Sequence, residues 1–223
     1  MGVNKVVVNG TTKLDLTADT VTAETLAEGV TAHNAAGDVI TGAMSGADAL
    51  RDFIQSGTFR FPSDLTSIRT YAFYRQLDIN IPTLPDGVTN IDAYAFAVCS
   101  NIAWTSLPNA LTDVGRNAFY GCSKLALTSL PSGFKRFNTS VFEDCTSLAL
   151  TSLPDDTIAI GKNAFADCTG LKSLTIRSAQ ITILATSFSG CTNLKNIYVS
   201  WSEGAVANAP WGATNATITY NCT

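Results

Sequence analysis

Six cysteines are the side chains best suited to chemistry in this chain, because thiols can ligate metal, pair as disulfides or act as nucleophiles. Cys99, Cys122, Cys145, Cys168 and Cys191 lie at a constant interval of 23 residues, and Cys222 stands apart. That regularity argues against all three uses. Equivalent side chains on stacked turns point the same way, an odd number cannot fully pair, and a column of thiols does not converge on a tetrahedral ion. The five are expected to be buried and to pack as small hydrophobes, with Cys222 an exposed spare thiol. His33 is the single histidine and has no nucleophile near it in sequence, so neither a Ser-His-Asp nor a Cys-His arrangement is available. The carboxylate pairs Glu143-Asp144 and Asp155-Asp156 fall at turns, on a solvated edge rather than across a cleft as glycosidase chemistry requires. No phosphate loop or dinucleotide fingerprint is present. The chain is therefore read as a non-enzyme, with no catalytic residue, cofactor or metal assigned.

The interval that spaces the cysteines runs through their surroundings. Phe73, Phe96, Phe119, Phe142, Phe165 and Phe188 form one column; Ile68, Ile91, Val114, Phe137, Ile160 and Ile183 a second; Ile79, Ile102, Leu125, Leu148, Leu171 and Leu194 a third. A fourth runs Phe61, Leu84, Leu107, Leu130, Leu153, Ile176 and Val199, with Pro62, Pro85, Pro108, Pro131 and Pro154 after its first five members. A fixed period of this size marks a solenoid, whose units bury their apolar faces on one another. Six or more coils with strands about 4.8 Å apart would make a slab roughly 30 Å long.

Within a unit, Xaa-Ala-Phe buries a ring and Cys fills a narrow site. A hydroxyl follows, Ser100, Ser123, Thr146, Thr169 or Thr192, able to bond the backbone of the turn. A run ending in Leu-Pro, such as Leu125 to Pro131, reads as a parallel strand closed by a residue that lacks the ladder N–H. Alternation along Leu-Xaa-Leu-Thr-Ser-Leu cannot point every apolar residue inward. Trp104, Leu127 and Leu150 either form an exposed stripe flanked by Ser106, Ser129, Ser152, Thr175 and Tyr198, which would mark a partner surface, or are turned into the core by a local bulge. Tyr74, Tyr198 and Trp201 are further aromatic candidates for a carbohydrate or protein ligand.

The stretch Ile160 to Ile176, Ile-Gly-Lys-Asn-Ala-Phe-Ala-Asp-Cys-Thr-Gly-Leu-Lys-Ser-Leu-Thr-Ile, resembles the BspA-type leucine-rich repeat of surface adhesins, over about residues 58 to 200. The resemblance implies an open, curved right-handed solenoid with short parallel strands, and binding rather than catalysis. Gln76 stands where the first unit should carry Cys, suggesting an end coil, and the middle runs depart from the family spacing Leu-Xaa-Xaa-Leu-Xaa-Ile.

Composition suits one repeat domain with a small accessory module: 223 residues, 46% hydrophobic and only 14% charged. A net charge of −4 and a pI near 4.9 exclude a basic nucleic-acid footprint. The apolar run Val6 to Val8 is too short for a signal peptide or membrane span, so synthesis in a reducing cytoplasm and no membrane insertion are expected. Residues 5–16 read as a hairpin turning at Asn9-Gly10, Thr22 to Gly29 as a short helix, and Val30 to Gly42 as a second hairpin. A module this small is stabilised by docking or oligomerisation. The segments Asn9 to Val21 and Leu26 to Gly42 are similar to a short module of tail and fibre proteins in phages and prophages of Firmicutes, which implies attachment to a particle or to sister subunits, with a trimer favoured.

The expected organisation is an attachment and oligomerisation module at 1–45, a linker and cap at 46–60, in which Ala49 to Ile54 forms a helical turn, a solenoid at 61–200 and a cap at 201–223 holding Trp201, Trp211 and a closing strand at Ala216 to Tyr220. The fold class is mainly β with short helical turns, a parallel leucine-rich-repeat solenoid on a small α+β module. The expected function is host adhesion or receptor binding by a virion protein, through a cell-surface protein or glycan. A head or neck decoration protein and a bacterial surface adhesin are the alternatives.

Overall fold

The computed structural model describes the backbone of strands at 5–8, 12–15, 31–33 and 39–41, and residues 61, 63–77, 81–178 and 180–222. The chain divides into two compact units, Met1–Ser63 with Ile79–Pro82, and Asp64–Asp78 with Thr83–Thr223. In the first, β1 (Lys5–Val8), β2 (Thr12–Asp15), β3 (Thr31–His33) and β4 (Val39–Thr41) form an antiparallel sheet in the order β2-β1-β3-β4. Val8 faces Thr12 and His33 faces Val39, so both expected hairpins are present as strand pairs. Their turns, the helix at 22–29 and the turn at 49–54 lie outside the described residues.

The second unit is the solenoid. Two-residue parallel strands recur at β5 (Ser67–Ile68), β6 (Asn90–Ile91), β7 (Asp113–Val114), β8 (Arg136–Phe137) and β9 (Ala159–Ile160), and β11 (Thr182–Ile183) continues the series. Each ends on a member of the second apolar column, and all six of those side chains are buried. The ladder breaks between β7 and β8, leaving the sheets β5-β6-β7 and β8-β9-β11. There the Asn138 side-chain amide donates to the Val114 carbonyl at 2.7 Å. The break falls where the column changes from Val114 to the wider Phe137. A third sheet, β10 (Ser173–Ile176), β12 (Asn196–Val199) and β13 (Thr217–Thr219), lies at the C-terminal end, in register and parallel.

No helix occurs among the described residues, and the backbone explains why the Xaa-Ala-Phe segments are not helical turns. Their N–H groups alternate between two destinations. Ala72, Tyr74 and Gln76 donate three residues back, to Arg69, Tyr71 and Phe73, whereas Phe73 and Arg75 donate to Ala95 and Ala97 on the next coil. Alternation of this kind needs left-handed residues between the turns. Tyr71, Tyr94, Asn117, Ser140 and Asn163 supply them in one column, with φ between 54° and 60°. Arg75, Val98, Gly121, Asp144, Asp167 and Gly190 form a second, with φ between 57° and 73°. Gly, Asn and Asp favour this region, but Tyr71, Tyr94 and Ser140 in the first column and Arg75 and Val98 in the second interrupt the signal.

The core is a set of ladders. Successive Phe rings from Phe73 to Phe188 stack with centroids 5.2 to 5.7 Å apart and planes within 20°. Such offset pairs contribute about 0.5–1.5 kcal/mol each beyond burial. At the C-terminal end Trp201 and Trp211 are buried edge to face, centroids 6.4 Å apart, and the Trp211 indole N–H donates to the Ala207 carbonyl at 2.7 Å. Phe188 N–H in turn donates to the Trp211 carbonyl at 2.9 Å, so the cap continues the turn ladder it covers.

Candidate functional site

The cysteine column is structural. Cys99, Cys122, Cys145, Cys168 and Cys191 are buried free thiols, and each donates its S–H to a phenylalanine carbonyl 26 residues back, at 2.7 to 3.1 Å. The acceptors are Phe73, Phe96, Phe119, Phe142 and Phe165, so every thiol ties its coil to the preceding ring. Burial raises Cys99 and Cys191 from 9.0 to about 12 and carries the three between them well above 9.0. A thiol held protonated in this way is neither a nucleophile nor a ligand. Among the described residues no group of three His, Cys, Asp or Glu side chains is arranged to hold a metal. Cys222 is half-buried rather than fully exposed and leans on the Thr219 carbonyl at 3.4 Å.

The column Trp104, Leu127 and Leu150 is core, and these three residues are withdrawn from the candidate ligand surface. Their exposures are 5%, 0% and 1%. Trp104 stands edge-on to Phe96 and Phe119, with centroids 5.1 and 6.2 Å away. The reason is backbone irregularity. The run Leu125 to Pro131 is not a strand, contrary to the expectation from its Leu-Pro ending. In Leu171-Lys-Ser-Leu-Thr-Ile176 the first, fourth and sixth residues are buried, as a regular strand allows. In the middle units Thr105, Thr128 and Thr151 occupy that fourth position and are exposed, so the third residue turns inward. Regular pairing is given up there, leaving bonds such as Ala126 N–H to the Trp104 carbonyl and Ala149 N–H to the Leu127 carbonyl, both 3.0 Å.

The flanking column does face outward. Ser106 and Ser129 are exposed, Ser152 and Thr175 half-buried, and Tyr198 is 36% exposed. Ser152 bridges to Thr175, Thr175 pairs with Tyr198 and Tyr198 with Thr219, which makes one continuous strip carrying hydroxyls and a single ring. Trp201, expected as a possible ligand aromatic, is instead buried in the cap. Two of the hydroxyls that follow a Cys also differ from expectation. Ser100 and Thr146 bond carbonyls of the preceding coil, at Leu77 and Ser123, rather than their own turn.

The carboxylate pairs do no visible chemistry. Asp156 and Asp155 are exposed and face Lys135 at 3.2 Å and Arg177 at 3.8 Å, surface pairs worth little individually. Asp144 is different. Partial burial and the neighbouring Asp167 and Glu143 charges raise its pKa, while Tyr120 donates a hydrogen bond that opposes the rise. Tyr120 is raised in turn, chiefly by the Asp144 charge. At the other end of the same turn face lie Tyr71 and Tyr74, 54% and 40% exposed. Tyr71 stacks on Tyr94 with centroids 5.1 Å apart, meets Tyr74 edge-on at 5.4 Å, and the Arg116 guanidinium sits 5.8 Å from the Tyr94 centroid. Of this cluster only Tyr74 stood out as a ligand aromatic in the sequence, although Tyr71 and Tyr94 share the 23-residue spacing.

The BspA type leucine rich repeat region matches in six copies, over residues 46–149 and 142–205. Among solved structures, the chain is similar to a leucine rich cell surface protein from Faecalibacterium prausnitzii A2-165, at 26% identity and a TM-score of 0.48, over 79% of this chain and 39% of that one. It is similar to the T. pallidum leucine rich repeat protein at 25% identity and a TM-score of 0.49, over 65% of this chain and 69% of that one. A leucine-rich repeat protein from Bacteroides ovatus ATCC 8483 follows at 19% identity and a TM-score of 0.31, over 82% and 66%. The chain thus spans well under half the length of the first of these. No curated protein matches. The comparisons give no support to the likeness of residues 3–44 to phage tail and fibre modules. With the periodic core and the matched repeats covering more than half of its length, the protein belongs to the BspA-type leucine-rich repeat family.

Proposed function

We propose that this protein is a non-enzymatic adhesin whose solenoid holds a host cell-surface protein or glycan along the strip Ser106, Ser129, Ser152, Thr175 and Tyr198. The observation that carries this reading is the division of labour in the repeat. The aromatic, aliphatic and thiol columns are spent on the core, and this strip is a row of exposed and half-buried hydroxyls ending on an exposed ring, paired coil to coil from Ser152 onward. Hydroxyls that can donate and accept, beside an aromatic face, suit polar partners such as sugars and peptide backbone. Repeat solenoids use extended surfaces of this kind for binding.

The placement we propose is a virion, with residues 1–45 attaching the protein to other virion proteins and favouring a trimer. The support for it is the order of small residues in Asn9 to Val21 and Leu26 to Gly42. The test is binding of the fluorescently labelled full chain to a panel of intact Firmicutes cells, beside a Thr175→Lys, Tyr198→Ser variant checked for folding. Strain-selective binding lost in the variant supports the strip as the recognition surface. No binding by either protein well above micromolar concentration removes the adhesion reading and leaves a structural virion role, such as head or neck decoration.

A further inference from the structure

The turn face built on the second left-handed column carries opposite charge at its two ends, and we infer that it is a self-docking surface on which two copies of this chain pair side by side and antiparallel. This inference is independent of the adhesive strip. The column runs Arg75, Val98, Gly121, Asp144, Asp167 and Gly190. Arg75 is exposed and flanked by the exposed rings of Tyr71 and Tyr74. Three and four rungs away are Asp144 and Asp167, with Glu143 beside them, a separation of roughly 14 to 19 Å at about 4.8 Å per rung. The ion pairs among the described residues are Lys135–Asp156 and Arg177–Asp155, and neither uses any of these four charged groups.

Gly121 has no side chain and Val98 is half-buried. A two-fold axis near Gly121 would bring Arg75, Tyr71 and Tyr74 of each copy onto Asp144, Asp167 and Glu143 of the other, the self-complementary arrangement that an isologous contact demands. Three carboxylates crowded on adjacent coils repel one another, and burial first, then the Asp167 and Glu143 charges, raise the Asp144 pKa. A guanidinium and tyrosine rings from a second copy would relieve it, and such groups are favoured at interfaces. The exposed Lys162 on the neighbouring row tempers the acidic end but lies outside the column. Parallel pairing would place like charges together, so charge selects the antiparallel register.

The test measures the average mass of the full chain by sedimentation over rising concentration, for the native protein, Arg75→Glu, and Asp144→Lys with Asp167→Lys. The expected result is a mass that climbs toward twice its dilute value, an association constant lowered at least tenfold in either variant, and recovery when the two variants are mixed. A fall in association with added salt is expected as well. A mass constant up to about millimolar protein overturns the inference, since that excludes even the weakest useful affinities. Association unchanged in both variants, or not restored in the mixture, overturns it equally by placing the contact elsewhere.

Discussion

Alkaline pH should unfold this protein through its buried cysteines. The five column thiols are raised on folding from an ordinary value of 9.0, to about 12 at the two ends and well above 9.0 in the middle, by burial. A group raised on folding contributes its full stability below the unfolded value, and the contribution is lost as pH climbs toward the folded one. At about pH 10 an unfolded thiol is some nine-tenths ionised while its folded counterpart keeps its proton, which costs about 1.4 kcal/mol per thiol. Five thiols together cost about 7 kcal/mol, comparable to the whole stability of an ordinary domain. The assay is the urea midpoint measured from about pH 8 to about pH 10, with Cys145→Ala as the internal control, expected to flatten the pH slope by about one fifth. A disulfide-exchange thiol reagent adds a second readout, with Cys222 reacting promptly and the other five only on unfolding. A midpoint unchanged over that range, or several thiols reacting at once in the native protein, would refute the protonated, solvent-excluded column.

Two further outcomes follow from the packing of adjacent coils. A Cβ at Gly115 would overlap the Ala93 amide nitrogen and lie 2.7 Å from the Asp92 carbonyl carbon, so Gly115→Ala should lower stability by about 1–3 kcal/mol. Gly87→Ala, whose nearest neighbour would be the Leu65 carbonyl at 3.6 Å, should be neutral or slightly stabilising, both variants being compared with the native protein in a thermal melt. Asp144 is raised by burial and by Asp167 and Glu143, so its ionised form opposes folding once pH exceeds the unfolded value of 3.8. Asp144→Asn should therefore stabilise at neutral pH, by a few tenths of a kcal/mol after solvent screening at this half-buried site, and the gain should vanish in acid. Equal effects in acid and at neutral pH would point instead to an effect unrelated to charge.

Cys99 to Cys191 and Phe73 to Phe188 announce their columns in the sequence, because a solenoid places equivalent residues in equivalent environments and the period alone sorts them. Burial of the thiols and the alignment of the rings were legible on that basis, whereas the tryptophans lie where the chain leaves the period and Trp201 stayed open between cap and ligand. Trp104, Leu127 and Leu150 were not legible. Periodicity aligns them with Ser173 and Asn196 but says nothing about which side of the backbone they take. That choice depended on Thr105, Thr128 and Thr151 displacing an inward position and on the middle coils giving up regular pairing to bury the larger side chains. The left-handed columns were hidden for a related reason. Tyr71, Arg75 and Val98 are poor local signals for that conformation, and only the hydrogen bonds between neighbouring coils impose it. Sequence by itself therefore determined the period, the phenylalanine and cysteine columns of the core and the absence of a histidine-based or phosphate-binding motif, each a property of residue type and spacing. Tertiary structure decided which residues face outward and which charges share a face, because those depend on backbone direction, which one coil settles only against the next.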